Sequence, residues 1–361
     1  MRIVAHNGAR IWGGAERATV SLLLGLKERG HEVLLLCNDP VVMSRSNERG
    51  VPAEICVVGG DIGLPHAFRL SRALRRYRPD AFIVGTWKKL FLAALGARLA
   101  GVPRIIARVG LESDTPRSVK YRIALRQWVD GIVVNARRMA GSFESLDGFD
   151  SSKIRVIWNG VDTRHAPADP MKLRQELDIP ARQFLIGTVA RLARQKRLDR
   201  LLEVTSLLPD VTCIIAGDGT RREELTEVAE SLGVSERVRF LGNRDDVGDV
   251  LAALDVFVVT SDSEGLSNAM LEAMSYGVPV VSTDVSGAED ALAPDEDGSK
   301  PGIVTSFDSR EIAEAIASLK RDPEARGTMS RIARRRAIKQ FSREQMLSSW
   351  EEFLSTPSIR K

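Results

Sequence analysis

Ser261-Asp-Ser-Glu264-Gly-Leu-Ser267-Asn268-Ala-Met-Leu-Glu272-Ala-Met-Ser-Tyr276-Gly-Val-Pro279-Val-Val-Ser282 follows directly on the apolar run Val256-Phe-Val-Val-Thr260. The run has the length and β-branched content of a strand buried on both faces, and Asn268 to Tyr276 has helical spacing with Ser267 placed to cap it. A strand running into a helix is half of a parallel α/β unit, and ligands bind where such strands end. Glu264 falls in the connecting loop. Glu272 lies eight positions on, within the helix, and can face the same crevice. With Gly265 beside it, the helix start offers free backbone N–H groups and a positive dipole end to an anion. Either carboxylate alone reads equally as a helix cap or a solvated helix residue. The whole string, with Arg191 and Lys196 upstream, reads as a site for a polyol that carries a phosphate.

The pattern extends outward in both directions. Strand-like runs occur at Ile3–His6, Val33–Cys37, Glu54–Val58, Ala81–Gly85, Arg104–Arg108 and Gly131–Val134, then at Phe184–Val189, Val211–Ala216, Val238–Phe240, Val256–Thr260 and Val280–Ser282. Helical stretches such as Ala15–Arg29, Ala67–Tyr77 and Leu90–Leu99 separate them. Alternating β and α elements predict parallel sheets with helices on both faces. At 361 residues the chain suffices for two such domains. The linker is expected within Asn159–Pro180, where Pro167, Pro170 and Pro180 punctuate a polar stretch. Two domains of this kind would present their strand ends to a shared cleft. Near the end, Phe341 to Phe353 reads as an amphipathic helix capped by Ser342, with Met346, Trp350 and Phe353 on its apolar face.

Cys37, Cys56 and Cys213 are widely spaced in apolar runs, which suits buried core residues rather than disulfides or a metal site. No basic-apolar-small leader precedes Ile3, and no stretch reaches the ~20 apolar residues of a membrane span. A soluble or peripheral protein in a reducing cytoplasm is expected. Residues 1–160 hold 25 Lys and Arg against 14 Asp and Glu, or +11, which leaves −7 for the rest of the +4 total. The basic half points to an anionic partner. Three tyrosines and no recognisable binding motif argue against nucleic acid. Arg69, Arg72, Arg75, Arg76 and Arg78 crowd one helix, and Arg117, Lys120, Arg122 and Arg126 form a second basic stretch. Both read as solvated faces or as a surface that holds the protein peripherally at the inner, anionic face of a membrane.

Six landmarks in order carry a family resemblance: Gly13-Gly14-Ala-Glu16-Arg17; Val156-Ile-Trp-Asn159-Gly-Val-Asp162; Gly187-Thr-Val-Ala-Arg191-Leu-Ala-Arg-Gln-Lys196-Arg; Ile215-Ala-Gly217-Asp218-Gly219; Phe240-Leu-Gly242; and the glutamate pair. Over nearly its whole length the chain resembles the retaining glycosyltransferases of family 4 (group 1). The resemblance implies an α/β protein of GT-B type: two facing Rossmann-like, doubly wound parallel-sheet domains with a C-terminal crossover helix. The acceptor-binding domain would be residues 1–163 plus 342–361, and the donor-binding domain residues 164–341.

It also implies roles. Arg191 and Lys196 would stabilise the departing diphosphate of a nucleotide-sugar donor, Glu264 would hold the donor sugar and Glu272 the ribose. Backbone groups of Gly265, Leu266, Ser267 and Asn268 would hold sugar and phosphate. Gly13 and Gly14 would close on the diphosphate, Gly217 and Asp218 would line the donor site, and Arg244 would sit near the base. The implied reaction moves a hexose from a UDP- or GDP-sugar to a glycan or lipid-linked saccharide of a cell-surface polymer, with no cofactor. Asp295-Glu-Asp297 lies far from the donor motifs, and no metal is expected.

Two departures stand out. Many relatives carry a histidine after the strand matching Arg104–Arg108, but here the sequence reads Ile105-Ile-Ala-Arg108-Val-Gly110-Leu-Glu-Ser, and His6, His31, His66 and His165 lie elsewhere. Ser267 stands where proline is common, and serine caps a helix as well. Two other classes share the donor site: a GT-B sugar-nucleotide epimerase, which needs acid/base groups that a histidine-poor site supplies badly, and a non-catalytic binding subunit, which would be expected to lack Arg191, Lys196 or Glu264.

Overall fold

The computed structural model describes every residue except 10–11, 60–62, 112–117, 145–149, 164–167 and 357–361. Arg117, His165 and Pro167 fall outside the described residues. The chain divides into two compact units, Met1–Asn159 with Met346–Lys361, and Gly160–Gln345. The divisions thus fall at 159/160 and 345/346, a few residues from the expected 163/164 and 341/342.

Unit 1 is built on seven parallel strands: β1 (Arg2–Asn7), β2 (Glu32–Cys37), β3 (Ala53–Ile55), β4 (Ala81–Val84), β5 (Arg104–Val109), β6 (Gly131–Val134) and β7 (Ile154–Val156). Their order across the sheet is β3-β2-β1-β4-β5-β6-β7. Val4, Phe82, Ile105 and Ile132 face one core, beneath the helices Leu64–Tyr77 and Leu90–Leu99. Ile3, Ala5, Ile83, Ile106 and Val133 face the other, which takes in Leu22, Leu23 and Leu26 of the helix Gly14–Glu28. That alternation is the period-2 rule of a strand buried on both sides. Gly30, at φ +89°, ends the helix in the left-handed conformation that favours glycine.

The final helix, Arg343–Ser355, completes the second core. Met346, Leu347, Trp350, Phe353 and Leu354 are all buried there. Gly25 and Gly131 make room for it: a Cβ at either would stand 2.5 Å from Leu347 or from the Phe353 ring. The hydroxyl of Ser342 caps the helix by accepting from the Gln345 N–H.

Unit 2 holds six parallel strands: β8 (Phe184–Val189), β9 (Val211–Ala216), β10 (Val238–Gly242), β11 (Val256–Val259), β12 (Val280–Thr283) and β13 (Gly302–Thr305). Their order is β10-β9-β8-β11-β12-β13, so the winding reverses between β8 and β11. This is the doubly wound dinucleotide-binding order, and the crevice at the reversal lies above the ends of those two strands.

Three expectations need correction. The expected linker contains a helix, Pro170–Glu176, because Asp169 accepts from the Met171 N–H at 2.8 Å and Pro170 occupies the first helical position, where its missing N–H costs nothing. The strand expected at Glu54–Val58 is only Ala53–Ile55. Edge strands β7 and β13 were not anticipated, since neither carries a sustained apolar run.

Candidate donor site

The loop after β8 and the loop after β11 meet at the reversal crevice of unit 2. The β8 loop is pinned by main-chain geometry first. The Leu192 N–H donates to the Asp218 carbonyl at 3.0 Å and the Ala190 N–H to the Ala216 carbonyl at 2.9 Å. A side chain at Gly217 would stand 2.1 Å from the Ala190 carbonyl oxygen, and one at Gly219 2.4 Å from that of Leu192. Glycine lets the two strand ends close together. Next, the loops bind each other: the Asp262 N–H donates to the Gln195 carbonyl at 2.9 Å and the Thr260 hydroxyl to the Lys196 carbonyl at 3.0 Å. Arg200 reaches the Thr260 carbonyl at 2.6 Å and Asp262 at 2.9 Å, and Arg197, at φ 46°, also pairs with Asp262.

This frame presents an ion pair. The ammonium of Lys196 meets Oε1 of Glu264, and the Ser261 hydroxyl donates to the same oxygen at 2.8 Å. Glu264 is 6% exposed. Both contacts use Oε1, which leaves Oε2 without a hydrogen bond among the described residues. A small depression lies here, lined by Thr188, Lys196, Thr260, Ser261, Glu264 and Ser267. Arg191 is exposed on the same loop and has no ion-pair partner among the described residues.

Behind the site, Gly265 and Leu266 rest on Gly287, where an added Cβ would stand 2.4 Å from the Gly265 carbonyl oxygen. The Gly287 N–H donates to that oxygen at 3.1 Å. Ser267 caps the helix Asn268–Ser275, accepting from the Met270 N–H at 3.4 Å. Oδ1 of Asn268 is buried with no partner among the described residues. An orphaned buried acceptor is costly unless a ligand supplies the donor. Glu272, half-buried, follows one turn along the helix.

The profile of the family "Glycosyl transferases group 1" matches residues 170–336, and that of "Glycosyltransferase Family 4" matches residues 12–165. The chain is 31% identical over 348 residues, 95% of its length and 96% of the relative's, to the lipopolysaccharide core biosynthesis glycosyltransferase LpsE of Rhizobium meliloti (strain 1021). This chain belongs to the group 1 glycosyltransferases. A second R. meliloti lipopolysaccharide core transferase, LpsD, is 28% identical over 88% of both chains. Among solved structures, Anabaena HepE in complex with UDP and glucose superposes with a TM-score of 0.86 at 24% identity, covering 99% of this chain and all of that one. WaaG, a lipopolysaccharide glycosyltransferase, gives 0.73 at 17% identity over the whole of both chains. The fold of this glycosyltransferase is therefore GT-B.

Other expected site residues of the transferase are placed less simply. The Arg244 guanidinium is held by two carboxylates, Glu176 at 2.6 and 2.9 Å and Asp246 at 2.6 and 2.7 Å, which push its pKa up. Asp218 is exposed, and its side chain accepts from the Gly219 N–H. Asp295 is paired with Arg335 and Arg336, and Asp297 accepts from the Ser299 N–H. Gly13 and Gly14 belong to unit 1, at the N-terminus of the helix Gly14–Glu28, where the Gly13 N–H donates to Glu16 at 3.0 Å.

The sequence reading also missed residues. Asp262 stands inside the quoted string, yet its tie to Arg197 and Arg200 joins positions more than 60 apart and leaves no local signature. Gly287 supports Gly265 through a close approach that only the folded chain reveals.

Proposed function

We propose that this glycosyltransferase moves a hexose, with retention of anomeric configuration, from a UDP- or GDP-sugar to a glycan or lipid-linked saccharide during assembly of a cell-surface polysaccharide. The observation that carries the reading is the Lys196–Glu264 pair at the winding reversal of unit 2, with the accessible cation Arg191 on the same loop. In this reading the C1–O bond to the diphosphate breaks while the acceptor oxygen bonds C1 on the same face. The acceptor proton passes to the leaving phosphate oxygen. Lys196 and Arg191 take up the charge that develops on the leaving group, so the reaction needs no metal. Oε2 of Glu264 and Oδ1 of Asn268 accept hydroxyls of the donor, and Glu272 accepts those of the ribose. The names of LpsE and LpsD support a cell-surface acceptor. The complex of HepE makes UDP-glucose the first donor to try.

Unit 1 also suits an anionic membrane surface. The helix Leu64–Tyr77 exposes Leu64 and Phe68 at its start and Arg69, Arg72, Arg75 and Arg76 along the same flank. The helix Val119–Gln127 exposes Val119, Arg122, Ile123 and Arg126, one face at i, i+3, i+4 and i+7. Both pack on the helix Leu90–Leu99. Apolar tips beside arginines are the makings of an interfacial contact. Among the described residues no helix is long and apolar enough to cross a membrane.

The deciding experiment incubates the enzyme with radiolabelled UDP-, GDP- and ADP-sugars in EDTA. Transfer or slow donor hydrolysis supports the reading. An isomerised donor makes the protein an epimerase, binding without turnover makes it a binding subunit, and a strict need for manganese removes the metal-free mechanism.

A further inference from the structure

Above the core that holds Ile106 and Trp350, unit 1 carries a layer of buried polar side chains at the strand ends: Asn7, Glu16, Thr19, Asn135 and Asn159. Arg108 joins them from β5. It shares a face with Ile106, and its Nη1 donates to the Thr19 hydroxyl at 3.0 Å and its Nη2 to Oδ1 of Asn159 at 3.3 Å. The buried Arg174, Arg200 and Arg336 and the half-buried Arg98 each meet a carboxylate, while the buried Arg104 lies over the Phe353 ring. Arg108 is half-buried and meets no carboxylate among the described residues. The nearby Glu16 is already committed, Oε2 to the Gly13 N–H and Oε1 to the Asn7 amide at 3.4 Å. Burial pulls the Arg108 guanidinium down to about 10, and the charge of Glu16 only opposes this. A cation partly taken out of water and left with neutral partners is favoured when an anion completes it.

The surroundings say what kind of anion. On the adjacent strand Arg108 pairs with Val133, and Asn135 follows two residues later. Asn135 is 6% exposed and its Oδ1 is buried with no partner among the described residues. It needs a hydrogen-bond donor, while Arg108 has only neutral acceptors. On the other side, Gly85 follows Val84, which pairs with Ala107, so the position beside Arg108 adds no side chain to the layer. The layer also stands at the β1/β4 winding reversal and the strand next to it, where α/β sheets bind ligands.

We propose that the end of β5 binds an oxyanion carried on a polyol, the carboxylate or phosphate of an acidic or phosphorylated sugar, with Arg108 gripping the oxyanion and Oδ1 of Asn135 accepting one hydroxyl. The inference rests on the transferase reading only in naming this sugar as part of the acceptor.

The test compares glucose, glucuronic acid and glucose 6-phosphate by calorimetry on the full chain. Wild type should bind at least one of the two anionic sugars about 10- to 100-fold more tightly than glucose, the range of a charge-assisted hydrogen bond. Arg108→Gln should abolish that preference, Lys196→Ala should keep it, and Asn135→Ala should weaken all three sugars alike. Loss of the preference in Lys196→Ala with retention in Arg108→Gln would put the anion in the donor site and overturn the proposal, as would no preference in wild type. In wild type, independent of any variant's folding, the preferred anionic sugar should slow phenylglyoxal modification of Arg108, read by peptide mass; unchanged modification would also overturn it. UDP-glucose consumption, measured in parallel, tests the transferase reading separately.

Discussion

Replacing Lys196 by alanine strikes stability and turnover through one ion pair, and the two effects can be separated. Glu264 is 6% exposed, and without the ammonium its Oε1 keeps only the Ser261 hydroxyl. Stranding one partner of a fully buried pair costs about 3–5 kcal/mol. Water already reaches about a fifth of the Lys196 side chain, 21%, and can partly replace it, so a loss of about 2–3 kcal/mol is expected here. For a unit this size that lowers the melting temperature by about 5–10 °C. Turnover should fall about a hundredfold or more, the scale for removing a preorganised charge from a transition state. Adding Glu264→Gln removes the stranded charge, so the double variant should recover most of the lost melting temperature without recovering turnover. Scanning calorimetry and a donor-consumption assay measure both. Lys196→Ala with wild-type turnover would remove the residue from the site. A double variant no more stable than Lys196→Ala would refute the stranded-carboxylate argument.

Glu264→Gln should lower kcat and alter sugar choice, whereas Glu272→Gln should mainly weaken nucleotide binding; titration with UDP and GDP and steady-state kinetics distinguish them, and equal losses of affinity would end that division. Trp350→Ala, at a site 2% exposed in the core of unit 1, should cost about 3–5 kcal/mol in chemical unfolding, and deletion from Ser342 onward should leave no folded unit 1. Burial pulls the fully enclosed His6 ring down to about 4, so the unfolded chain binds the extra proton first. Stability should therefore be complete above pH 6.5 and decline as the pH falls toward 4, by up to about 3 kcal/mol, and His6→Gln should flatten that slope in urea melts at successive pH values. In co-sedimentation, vesicles of anionic but not zwitterionic lipid should bind the protein, and replacing Arg72, Arg75 and Arg76 by serine, or Phe68 by serine, should weaken this; identical binding to both lipids would leave these side chains as ordinary surface.

What could be read in advance follows a physical division. Strands such as Gly131–Val134, Phe184–Val189 and Val211–Ala216 appear with both ends as expected, because burial on both faces writes a mostly apolar run. The edges β7 and β13 are partly exposed and write none. The helix Pro323–Gln340 was equally faint, since only Ile332, Ala333, Arg336 and Ala337 of its 18 residues are buried. At the donor site, Ser267 showed as a cap because capping is local. The joining of Lys196 to Glu264 spans 68 positions and depends on strand order, which periodicity does not encode. Arg108 reads as one more basic residue in a basic half; only the folded chain shows it held by the neutral Thr19 and Asn159 beside the buried Asn135.

The placement of the last helix has a consequence for synthesis. Trp350 and Phe353 close a core whose other walls, Ile3, Leu22 and Leu26, are made within the first thirty residues. A chain emerging from the ribosome N-terminus first has every residue of unit 2 available before unit 1 can seal that face. The earliest-made apolar surface thus waits longest for its cover, exposed to chaperones and to aggregation throughout elongation. A chain cut before Ser342 would keep the whole of the second sheet and still leave the first domain open.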